Sequence, residues 1–142
     1  MAQLSPHLIF NGNCEDAFNY YKSVFGGEFG YVGRFKEMPP EFDIPDDLKE
    51  KIMHISLPVG QTMLMGNDAN DMYGLATPIG NNFAITIYAE SEEEATRIFE
   101  ELSAAGTVKM PLEKSFWGAL FGMFTDKFGV HWMITYEFDR KL

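Results

Sequence analysis

One cysteine and three histidines are the side chains of this chain best suited to nucleophilic or acid–base chemistry. Cys14 follows the apolar run Leu8-Ile9-Phe10 at the turn Asn11-Gly12-Asn13, where an extended segment gives way to a helical one. A catalytic elbow would sit there, but a thiolate nucleophile needs a neighbouring base. No histidine stands near Cys14 in the sequence. Glu15 and Asp16 would raise its pKa and oppose the help of the helix N-terminus. Cys14 is therefore expected to be a helix-start residue. His54 and His131 are the more interesting pair. Imidazole titrates near neutral pH, so either is a general base in kind, and two imidazoles can also contribute to an incomplete metal site. The plainer roles, favoured here, are a hydrogen-bonded sheet residue for His54 and a turn-exit residue near solvent for His131.

The elements that must position these groups form a repeat. Asn13 followed by Asp16 reads as a helix start, and Ala17, Tyr21 and Val24 fall on one helical face before Gly26-Gly27 ends it. Ser91 with Glu94, the stripe Ala95, Phe99 and Leu102, and Gly106 repeat the pattern, each of the cap and stripe positions 78 residues beyond its counterpart. Leu8-Ile9-Phe10 matches Thr86-Ile87-Tyr88 as the strand before each cap. Three extended segments follow each helix: about 28–35, 52–58 and 62–65, then about 108–112, 120–125 and 131–136. The chain thus reads as βαβββ twice. The reading is one domain over 1–142, with a first module about 1–66, a linker about 67–81 and a second module about 82–137. The short one-sided helices must each lie on a sheet, leaving the other face free to curve around a cleft.

Bulk properties bound the function. A chain of 142 residues that is 46% hydrophobic and 15% aromatic can bury a core. No apolar run approaches a membrane span, and the N-terminus does not read as a signal peptide. A single cysteine forms no intrachain disulfide, which suits a cytoplasmic location. The net charge of −10 disfavours nucleic acid and anionic membranes as partners and mildly favours a cationic ligand.

The duplicated layout resembles the vicinal oxygen chelate superfamily, which includes glyoxalase I, extradiol dioxygenases and the fosfomycin and bleomycin resistance proteins. The phrases FNGNCEDAFNYYKSVFGGEF, SFWGALFGMFTDKFGVHWMI and MHISL resemble its PhnB-like branch more narrowly. Over nearly the whole chain, this resemblance implies an α+β fold of tandem βαβββ modules, with curved mixed sheets, helices on the outer face and a cleft inside. Some members of the branch carry a 3-demethylubiquinone methyltransferase label. No Gly-rich loop follows a strand here as a nucleotide-binding methyltransferase would need. Superfamily enzymes hold a divalent metal with His and Glu or Gln from the first and last strand of each module. Carried onto this chain, those slots fall on Pro6, Leu64, Ala84 and Met133, none a hard-metal ligand. A slip of one residue rescues only His7. The expectation is no metal and no cofactor.

Strand parity from the same slots defines a lining. It puts His131, Met133 and Thr135, Thr62 and Leu64, Thr86 and Tyr88, His54 and Ser56, and Phe121, Met123 and Thr125 toward the cleft. His7 is expected to point toward the helix layer or an edge. Phe116-Trp117 either stacks on a planar ligand, forms a lid, packs a corner or makes a subunit contact. Glu113 beside it reads as a solvated carboxylate, and the nine methionines mostly as core. Three functions remain open. One is metal-free binding of a small organic molecule. Another is a lyase- or isomerase-type enzyme with His54 or His131 as base. The third is a dimeric assembly protein with a vestigial pocket. The resemblance implies a homodimer.

Overall fold

The computed structural model describes residues 2–70 and 80–138. The chain divides into two units, residues 1–78 and 79–142, with the same order of elements. The first carries β1 (His7–Phe10), α1 (Cys14–Phe25), β2 (Tyr31–Arg34), β3 (Ile52–Val59) and β4 (Thr62–Asp68). The second carries β5 (Ile85–Tyr88), α2 (Glu92–Ser103), β6 (Thr107–Lys114), β7 (Ala119–Thr125) and β8 (His131–Glu137). Each is a four-stranded mixed sheet, ordered β1-β4-β3-β2 and β5-β8-β7-β6. In each, the first strand runs parallel to the last and the other pairs are antiparallel. The fold is α+β, as the duplicated pattern implies. β4 continues to Asp68, so the linker expected from residue 67 begins later. Residues 71–79 of that linker lie outside the described residues.

Each helix buries its apolar stripe on one face of its own sheet. Cys14, Ala17, Phe18, Tyr21 and Val24 are buried on α1, and Ala95, Ile98 and Leu102 on α2. A wholly buried ring such as Phe18 contributes about 2 kcal/mol through removal of apolar surface from water. The same close contact recurs in both units. A Cβ on Gly66 of β4 would lie 2.6 Å from the Phe18 ring, and one on Gly122 of β7 would lie 2.7 Å from the Phe99 ring. Glycine lets each helix settle onto its sheet at that point.

The helix starts differ in a way the sequence concealed. At α2, Ser91 Oγ accepts from Glu94 N–H at 3.0 Å as an N-cap should, and the Glu94 carboxylate accepts from Glu90 N–H, one residue before the cap, at 2.9 Å. At α1, Asn13 holds the cap position but its side chain makes no capping bond. The acceptor is Asp68, 1% exposed at the end of β4. Its Oδ1 accepts from Gly12 N–H at 3.1 Å and Cys14 N–H at 3.0 Å, and its Oδ2 from Ile52 N–H at 2.9 Å. One buried carboxylate thus ties the start of α1 to β3 and β4. Asp126 plays a related part in the second unit. It accepts from Phe128 N–H at 2.8 Å, Val130 N–H at 3.0 Å and Trp132 Nε1–H at 2.8 Å, which shapes the turn into β8.

Candidate functional site

The sheet registers decide which side chains face away from the helices. In the first unit Ile55 pairs with Gly66 and Leu57 with Leu64, and Gly66 lies against Phe18, so these four positions face α1. Leu8 and Phe10 are buried on that side as well. The opposite, open face therefore carries His7 and Ile9 from β1 and Met63, Met65 and Asn67 from β4. His54 and Ser56 from β3 and Tyr31 from β2 share it. In the second unit Trp132, Ile134 and Phe124 are buried against α2. Thr86, Tyr88, Phe121, Met123, Thr125, His131, Met133 and Thr135 share the open face.

The second-unit lining thus lies where parity put it, and so do His54 and Ser56. Thr62 and Leu64 do not: both fall on the helix side, with Leu64 3% exposed. The turns that lead into β4 and β8 differ in length. Val59 pairs with Thr62 across two residues, Thr125 with His131 across five. An odd difference exchanges the faces. His7, expected toward the helix layer or an edge, lies on the edge strand β1 and on its open face. The 78-residue offset that aligns the helices shifts the first strands by one face. Ile85 and Ile87 pair with helix-side Trp132 and Ile134, whereas Leu8 and Phe10, one position out of step, are the buried pair.

On the first unit's open face the polar groups gather around two imidazoles. The His7 and His54 ring centroids are 5.8 Å apart, and Tyr31 lies 5.9 Å from His54. His7 Nε2 is 2.6 Å from Asn67 Oδ1. Burial, and then the neighbouring His7, hold the His54 pKa below its usual value, which favours the neutral base. Asn67 and Tyr31 are not legible in the sequence: Asn67 falls where the linker is expected, and the segment 28–35 that holds Tyr31 has no alternation that marks its faces.

His131 is tied on both ring nitrogens. Nδ1 is 2.8 Å from Thr125 Oγ1 and Nε2 is 2.8 Å from Gly80 O. A carbonyl oxygen only accepts, so Nε2–H donates to it and Nδ1 takes the Thr125 hydroxyl proton. These two bonds hold the ring in place. It joins β7 to the entry of β5. Phe116 and Trp117 occupy the β6–β7 turn, 98% and 54% exposed. They continue edge-to-face into Phe121, with centroids 4.9 Å apart for Phe116–Trp117 and 5.4 Å for Trp117–Phe121. Glu113 is exposed on β6. Cys14 is fully buried, and burial, then Asp68 and Glu15, push its thiol far above the usual range. It is a packed helix-start residue and no nucleophile.

Paired βαβββ units with a helix on one face of each sheet give the fold of solved structures of the glyoxalase/bleomycin resistance/dioxygenase type. Residues 2–135 match the family described as 3-demethylubiquinone-9 3-methyltransferase, and the chain belongs to this family, the PhnB-like branch of the vicinal oxygen chelate superfamily. It is 36% identical to protein YjdN of Escherichia coli K12 over 92% of each chain. The solved structure of protein PA1353 from Pseudomonas aeruginosa is 42% identical, with a TM-score of 0.82 over 96% of this chain and 98% of that one. A PhnB protein of Bacillus cereus, solved under the same methyltransferase name, is 25% identical, with a TM-score of 0.74 over 95% of this chain and 99% of that one.

The superfamily's metal finds a poor donor set in this chain. Near the four slots, the open faces offer the His7 imidazole and the thioethers of Met65 and Met133, and β5 offers only Thr86 and Tyr88. A hard or borderline divalent ion is held by several imidazole, carboxylate or carbonyl donors at once. Among the described residues no three His, Cys, Asp or Glu side chains come together. No helix among them is long and apolar enough to cross a membrane.

Proposed function

We propose that this protein binds a small organic molecule on the open faces of its sheets, without the superfamily's metal, as a homodimer in the cytoplasm. The observation that carries the reading is the open face of the second unit. There Tyr88, Trp117, Phe121, Met123 and Met133 present rings and thioethers. Surfaces of this composition suit ligands with a planar apolar body, and thioethers adapt to irregular shapes. Tyr88 is 57% exposed and Phe116 98%. Apolar area of this kind is costly to leave in water and favours cover by a ligand or a second copy. The overall charge of −10 favours a neutral or cationic ligand. The methyl transfer named in the family's description is no part of this reading.

His54 supports a second reading, a lyase- or isomerase-type enzyme. Its depressed pKa and its place beside His7 suit a neutral base. Thermal melting against a panel of planar aromatic compounds tests ligand binding. At least one should raise the melting temperature, and Phe121→Ser should reduce that rise. A panel that leaves the melting temperature unchanged would sink the reading. Light scattering on the eluting protein should give twice the chain mass of 16.1 kDa.

A further inference from the structure

The polar chain behind His7 fixes what that imidazole offers. Asn67 Nδ2 donates to the carbonyl oxygen of Asp68 at 2.9 Å, and a carbonyl oxygen has no proton to return. The amide is therefore oriented with Nδ2 toward the backbone and Oδ1 toward His7. Oδ1 in turn only accepts, so the His7 Nε2 at 2.6 Å must carry the proton. Asn67 is 7% exposed and packed in the sheet, which holds this arrangement in place. The neutral His7 ring is left with its lone pair on Nδ1. Among the described residues that nitrogen has no hydrogen-bond partner. His7 itself is exposed, so the lone pair is accessible.

The surroundings define what such an acceptor selects. No Asp, Glu, Lys or Arg holds an open-face strand position on this sheet. Charge pairing is thus absent from those positions, and recognition falls to neutral hydrogen bonds beside the aromatic walls of His54 and Tyr31.

We propose that His7 Nδ1 is the hydrogen-bond acceptor of this face and selects ligands that present an O–H or N–H donor over those that do not. The inference rests on the reading of the open face as a ligand surface. Asn67 acts through His7 as a positioning residue and does not itself meet the ligand.

The test uses the full chain with two probes, umbelliferone and its methyl ether, which share a planar fluorescent body and differ in the hydroxyl. Umbelliferone should bind about tenfold more tightly, the size of one hydrogen bond. His7→Phe, which keeps a planar ring, should remove that preference, so that the ratio of the two affinities falls to about one. Equal affinity of the native protein for both probes overturns the inference and leaves ligand binding in place. Binding of neither also overturns it, and the broader reading falls only if the aromatic panel fails too. Nitrogen NMR of the free native protein tests the geometry without any ligand or variant. The His7 ring should carry its proton on Nε2, and a proton on Nδ1 overturns the assignment.

Discussion

Asp68 is the residue on which the start of α1 depends, and its replacement by asparagine separates the structural account from the one the sequence suggests. The amide would keep one oxygen for Gly12 N–H and Cys14 N–H. Its NH2 group would replace the oxygen that now accepts from Ile52 N–H at 2.9 Å, so donor would face donor in a site 1% exposed. The loss is one bond to a charged acceptor, and it leaves one buried N–H unsatisfied. Together these cost about 4 kcal/mol. For a chain of this size that corresponds to a fall in melting temperature of about 10 °C. Asn13→Ala is the control. Asn13 has the residue type and the position of an N-cap, and loss of a working cap costs about 1 kcal/mol. Because its side chain makes no capping bond, the substitution should change stability by less than about 0.5 kcal/mol. Urea unfolding followed by circular dichroism measures both variants. A costly Asn13→Ala beside a harmless Asp68→Asn would refute the reasoning.

Gly66→Ala would place a methyl 2.6 Å from the Phe18 ring and should destabilise the protein by about 1–3 kcal/mol in the same assay, through overpacking. Cys14 should resist iodoacetamide in the native protein at pH 8 and react only after unfolding, as its burial and raised pKa require; rapid native labelling would contradict this. The imidazole protons of His54 should titrate in NMR below the usual midpoint of 6.5. Because the folded-state pKa lies below the unfolded one, neutral His54 contributes its full stability above pH 6.5. That contribution is lost as the pH falls through 6.5 toward the folded-state value. His54→Gln should flatten that slope, and an unchanged slope would place the titrating group elsewhere.

Helix positions and strand faces were not equally legible in the sequence. The stripes Ala17-Tyr21-Val24 and Ala95-Phe99-Leu102 repeat at a fixed offset because each helix must bury one face on a sheet. Caps and stripes placed both helix starts to the residue, whereas α2 ends at Ser103, short of the Gly106 expected to close it. The strands carry no comparable marker. In His7-Leu8-Ile9-Phe10 three consecutive residues are apolar, so alternation alone does not say that Leu8 and Phe10 face inward. A turn that is three residues longer in one repeat preserves the fold while reversing which side chains it shows. The buried acceptors were hidden for another reason. Asp68 lies 54 residues from the Cys14 N–H it serves, so no local pattern announces it. Duplication has therefore kept the scaffold and let the open faces diverge. One face sets imidazole, phenol and amide side by side, while its repeat sets rings beside thioethers. Equivalent positions in the two sheets need not serve equivalent ends, and a site residue in one module is a poor guide to its counterpart until the pairing register is known.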